Sequence, residues 1–128
     1  MKKPARVLGP QELQIMNVVW ERDRVTVRDV YETLRKRRQI AYTTVMTMMN
    51  ILDQKGFLKK IPGGDRAFVY EPARSRQTVM RAMVKEFLDR VFGGSASPLM
   101  LHLIQDKHVT GKDLDELRRA IRKKDGGS

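Results

Sequence analysis

A chain of 128 residues with 26 Lys and Arg against 15 Asp and Glu carries a formal net charge of +11, which points to a polyanionic partner. Nucleic acid fits that role better than an anionic membrane, because no strongly basic amphipathic anchor stands out. A composition of 41% hydrophobic and 32% charged residues rules out wholesale disorder, and the absence of cysteine excludes disulfides, Cys-ligated zinc, iron-sulfur clusters and thiol redox chemistry.

The opening "MKKPARVLGPQE" is basic but leads into no apolar signal region, and no apolar run approaches membrane-spanning length, so a cytoplasmic protein without membrane insertion is expected. Gly9-Pro10 punctuates the chain. "QELQIMNVVWER" then sets Leu13, Met16, Val19 and Trp20 at helical spacing, with Pro10 suited to the first turn. Thr26 with Asp29 three residues on opens a second helix, where Val27, Val30, Tyr31 and Leu34 share a side, and the basic run at 35–38 ends it. A third helix is predicted over 42–55, with Gly56 as its left-handed C-cap. "FLKKI" and "AFVYE" are β-prone runs joined by "PGGDR", which reads as a hairpin with a glycine turn. Three helices and a hairpin predict a winged helix-turn-helix over 1–72.

Beyond Pro72, Met80, Met83, Val84, Phe87, Leu88 and Val91 form a helical stripe, and "GGSASP" is expected to stop it. A short apolar helix in "LMLHLI" and a last one opened by Thr110 with Asp113 complete an all-helical region over 73–128, with 125–128 expected to fray. Short helices of this kind cannot bury their stripes unaided. The region therefore reads as a dimerisation domain, with Met83, Phe87, Leu88, Val91, Leu99, Leu103, Leu117 and Ile121 meeting a second copy. The fold class is mainly α with a small β-hairpin wing.

The third helix holds the sharpest signal. "AYTTVMTMMN" contains no charge in a chain this basic. Val45, Met48, Met49 and Leu52 form its core stripe, while Thr43, Met46, Thr47, Asn50 and Gln54 point away. Hydroxyls, amides and a thioether methyl can meet base edges without demanding a phosphate. Arg28, residues 35–38, Lys55, Lys59, Lys60 and Arg66 surround this helix in sequence as phosphate contacts, with Tyr42 grouped beside them. Taken alone, an uncharged face also fits a protein contact, and a charge run is more often a solvated helix end. Residues 1–72 hold 14 basic and 8 acidic side chains, net +6, and the remainder hold 12 and 7, net +5, so the charge is not confined to the first half.

Little else suggests chemistry. His102 and His108 stand six residues apart without a ligand pattern, "PGGD" lacks the context of a phosphate loop, and methionines at helical spacing are core filler. No nucleophile and base can be assembled, so neither enzyme activity nor a cofactor or metal is expected.

The chain resembles the penicillinase-repressor family of bacterial winged-helix transcription factors, which includes repressors of β-lactamase and methicillin-resistance operons. The resemblance rests on "LGPQELQIMNVVW", "YTTVMTMMNILDQKGFL", the wing, "EFLDRVFGGS" and "DLDELRRAI", in order over nearly the whole chain. It implies a homodimeric repressor on a palindromic double-stranded DNA operator, with Thr44 and Thr47 falling where the family reads bases. Met46 and Asn50 depart from the staphylococcal-type Arg and Thr. In the β-lactam-responsive branch a membrane sensor-protease system leads to cleavage in the dimerisation domain. This chain has His102-Leu103 where that branch has its Asn-Phe bond, and on periodicity "LMLHLI" reads better as dimer core. The paired cysteines of copper-responsive members are absent. A non-specific architectural nucleic-acid binder and a protein-interaction adaptor stand as the alternatives.

Overall fold

The computed structural model describes residues 8–64 and 67–126. In chain order they form α1 (Pro10–Arg22), α2 (Val27–Leu34), α3 (Tyr42–Gln54), β1 (Leu58–Pro62), β2 (Phe68–Pro72), α4 (Arg76–Phe92), α5 (Ala96–Gln105) and α6 (Gly111–Gly126). Two compact units share the chain, one reaching to Glu86 and the other starting at Phe87.

The starts of α1 and α2 and the end of α3 have local causes. Pro10 opens α1, where its missing N–H is not needed, and the Gly9 amide donates to Glu12 Oε1 at 3.0 Å. Thr26 and Asp29 form a reciprocal capping box on α2: the Asp29 amide donates to Thr26 Oγ1 at 3.1 Å, and the Thr26 amide to Asp29 Oδ2 at 2.9 Å. Gly56 follows α3 at φ +85, a left-handed geometry that lets the Phe57 amide reach the Leu52 carbonyl at 2.9 Å and the Gly56 amide the Asp53 carbonyl at 3.1 Å.

That turn sends the chain into an antiparallel hairpin in which Lys60 pairs with Tyr70 and Leu58 with Pro72. At its tip the Gly63 amide donates to the Ala67 carbonyl at 2.7 Å, and a Cβ on Gly63 would lie 2.3 Å from that oxygen. Val25 adds one rung of a third strand by exchanging backbone hydrogen bonds with Tyr70 at 3.1 and 2.7 Å. The hairpin is thereby stitched to the segment between α1 and α2, which matters because two strands alone are marginal in water.

Ile15, Met16 and Val19 of α1, Val30 of α2, and Val45, Met49 and Leu52 of α3 are fully buried together with Val25, Phe57, Leu58 and Tyr70. Leu13 and Trp20 of the expected α1 stripe are half-buried on this core. Val79 of α4 is buried in the same cluster and Met83 packs against it. Met83, expected in a dimer contact, is half-buried here. Trp20 Nε1 donates to the Arg74 carbonyl at 3.0 Å, fixing the entry to α4.

The second unit is built differently. Phe92 sits between Phe87 and His102, with ring centroids 5.8 Å apart in both cases. Thr110 and Asp113 cap α6 reciprocally at 2.9 and 3.1 Å. No side chain from 87 to 126 is buried, while Val91, Leu101 and Ile121 are 50%, 57% and 58% exposed. Two boundaries differ from expectation. Helix α5 begins at Ala96, within the stretch read as a stop, because Pro98 lies in its first turn, where proline costs no hydrogen bond. Helix α6 continues through Asp125 to Gly126, past the expected fraying point, and residues 127–128 lie outside the described residues.

Candidate nucleic-acid interface

The side of α3 away from the core exposes Thr43, Thr44, Met46 and Thr47, held on a helix whose other face is locked by Val45, Met49 and Leu52. No formal charge appears on α3 before Asp53, and that carboxylate is turned to the hairpin, where Oδ1 accepts from the Lys60 amide at 3.3 Å. Three hydroxyls and a thioether methyl therefore form an uncharged row able to donate, accept or touch a thymine methyl.

Asn50 differs from this row. It is half-buried, and its Oδ1 accepts from Tyr70 Oη at 2.9 Å and from Lys60 Nζ at 3.4 Å. The oxygen expected to face bases is engaged by the hairpin. Tyr70 is 2% exposed, and burial first, then the nearby Asp53 carboxylate and Tyr42, pushes its phenol above the ordinary value. Its hydroxyl stays protonated and donating across the neutral range.

The surrounding cations fall into two groups. Arg28 and Arg35 share Glu32, at 3.6 and 2.8 Å, and Lys55 pairs with Glu12 at 3.0 Å. Lys60 lies with Nζ 4.1 Å from the centroid of the exposed Phe68 ring. By contrast, Lys36, Arg37 and Lys59 are exposed and have no ion-pair partner among the described residues. Arg66, expected at the hairpin tip, lies outside the described residues. Tyr42 opens α3 with its ring edge-on to Tyr31 at 5.5 Å and the Arg28 guanidinium 5.8 Å from its centroid.

Between α2, α3 and the hairpin runs an open cleft of about 540 Å³ lined by Arg28, Tyr42, Met46, Asn50, Lys60 and Phe68 among others. No acidic side chain lines it among the described residues. Sequence reading missed Phe68 and Tyr70 as parts of this face. Their place in the β-prone run "AFVYE" marked them as strand residues, but nothing in it showed that the Tyr70 hydroxyl would reach α3. The expected dimer set lies elsewhere: Phe87, Val91, Leu117 and Ile121 are exposed in the second unit, and Leu88, Leu99 and Leu103 are half-buried there. His102 and Leu103 stand within helix α5.

The penicillinase repressor family pattern matches residues 8–123. The chain is 34% identical over 122 residues to the transcriptional regulator BlaI of Mycobacterium tuberculosis, covering 94% of this chain and 86% of that protein. It is 26% identical over 121 residues to the penicillinase repressor of Bacillus licheniformis, covering 94% and 93%. Among solved structures, the monomeric form of Bacillus licheniformis BlaI in complex with the blaP half-operator superimposes with a TM-score of 0.50 at 31% identity, covering 60% of this chain and 92% of that one. The reduced form of MarR from E. coli, at 14% identity and a TM-score of 0.50, shares the fold alone.

Proposed function

Since the chain belongs to the penicillinase repressor family, we propose that it acts as a homodimer on a dyad-symmetric operator, each winged helix taking one half-site. It is a sequence-specific DNA-binding transcriptional repressor and not an enzyme. In the proposed complex α3 enters the major groove, where Thr43, Thr44, Met46 and Thr47 meet base edges. Arg28, Tyr42, Lys59 and Lys60 meet the backbone beside it, Lys60 from its seat on the hairpin.

The observation that carries this reading is the uncharged, hydroxyl-rich outer face of α3 set among cations on a protein of net charge +11. A charged ridge would hold any duplex alike, whereas this row takes affinity from its flanks and discrimination from its centre. Dimerisation through α5, α6 and the end of α4 is supported by the exposed apolar side chains of a unit in which nothing is buried among the described residues.

The proposed targets are a β-lactamase or related antibiotic-resistance operon, by similarity to the relatives named above. Release by a membrane sensor-protease system would act on α5 at His102-Leu103, and that helix must unwind locally before any protease can grip it. The direct test is to incubate the protein with sheared genomic DNA from its source at near-physiological salt and sequence the retained fragments. A few promoter fragments sharing an inverted repeat are expected. Uniform retention would replace this reading with an architectural binder, and no retention with a protein adaptor.

A further inference from the structure

Asn50 lies on the side of α3 from which a reading helix would offer an amide to adenine, yet its carbonyl oxygen is taken twice. Tyr70 Oη donates to it at 2.9 Å and Lys60 Nζ at 3.4 Å. These two donors are opposite one another in the hairpin register, so both strands meet one oxygen of α3. The Lys60 amide donates to Asp53 Oδ1 one turn further along the same helix, at 3.3 Å. Tyr70 is at the same time locked by its backbone to Val25. A two-stranded ribbon twists readily about its own axis, and three attachments at Asn50, Asp53 and Val25 remove that freedom.

We propose that Asn50, Tyr70 and Lys60 form a positioning device that sets the angle of the hairpin to α3, and that Asn50 serves it in place of reading a base. The Lys60 ammonium, held between Asn50 and the Phe68 ring, is aimed by the same bonds. Contacts made by α3 and by the hairpin are then energetically coupled. This inference rests on the reading that both elements meet DNA.

The test uses the full chain and the operator fragment recovered by genomic retention, comparing wild type with Tyr70→Phe, Asn50→Ala and the double variant. Tyr70→Phe removes one hydroxyl from a side chain too buried to touch DNA. Each single variant is expected to bind the operator about fivefold more weakly, and the double variant no more weakly than Asn50→Ala, as members of one network behave. Hydroxyl-radical footprints should lose protection on the flanks under the hairpin, while preference across single-base operator changes stays as in wild type. Loss of preference at one base pair in Asn50→Ala alone, with Tyr70→Phe footprinting as wild type, overturns the proposal and makes Asn50 a reader. A drop in Tm for both variants with flank protection retained also overturns it, because the bonds then support only the fold. If wild type itself protects no flank, the hairpin-DNA reading fails, and with it any role of the device in DNA binding.

Discussion

In the proposed complex Thr47 and Lys59 would divide the work that DNA recognition requires. Thr47 is exposed at the centre of a helix face without charge, so its hydroxyl and methyl have only base edges to meet. Thr47→Ala is expected to lose about 1–3 kcal/mol of discrimination at one base pair, measured by competition among single-base operator variants. Lys59 is exposed with no ion-pair partner among the described residues, so Lys59→Ala should weaken every duplex alike and reduce the salt slope of binding by about 1. Tyr70 adds a prediction in pH. Its phenol titrates above the ordinary value because burial and Asp53 oppose the phenolate, so the folded state holds the proton more tightly than the unfolded chain. That stabilisation is complete below the unfolded value of about 10 and is lost as pH rises through the folded value. Urea melts of the free protein should show stability falling as pH rises from about 10 towards the folded value, with a shallower fall in Tyr70→Phe. Equal slopes in the two proteins would mean the phenol is not held this way.

At the scale of elements, the first unit was legible because each helix carries its own start or stop. Thr26 with Asp29, Pro10 and Gly56 fix boundaries through backbone hydrogen bonds made within a few residues, which a local reading of sequence can see. Thr26→Ala is therefore expected to destabilise the fold by about 1 kcal/mol through loss of the α2 cap. Gly56→Ala should destabilise it by about 1–2 kcal/mol, since its φ of +85 is left-handed, and both effects are read as Tm shifts in thermal melts. What escaped the sequence depends on distant partners or on position within a turn. The Asn50 carbonyl joins residues ten and twenty positions on, through a register no periodicity encodes. Met83 continues an apolar stripe that looks uniform along α4, although its own contacts are with the first unit's core. Pro98 reads as a breaker unless the helix is known to start at Ala96. The uncharged face of α3 was legible as a pattern, and the pairing of Arg28 and Arg35 with Glu32 follows helical spacing, whereas the Lys55–Glu12 pair required the folded chain.

For the whole molecule, the second unit sets the problem, because α5 and α6 bury no residue of their own and expose Met100, Leu101, Ile104, Leu117 and Ile121. Water would have to cover that apolar surface in a monomer, at about 25 cal/mol for each Å² left exposed. The proposed second copy would remove the penalty symmetrically, and would also join two α3 helices so that binding the second half-site becomes intramolecular. Ile121 is 58% exposed, so a carboxylate placed there costs little in the monomer but would be buried without a partner in the proposed interface. Ile121→Asp is expected to leave the winged helix folded, with thermal melting of the first unit unchanged, while sedimentation equilibrium shows a monomer. Binding to an isolated half-site should match wild type, whereas affinity for the two-half-site operator should fall by about 10² or more, the gain that linkage of two weak sites supplies. If the variant remained a dimer, or if wild type gained nothing from the second half-site, the exposed face of α6 would not join two copies and the dyad operator would have to be read by independent monomers.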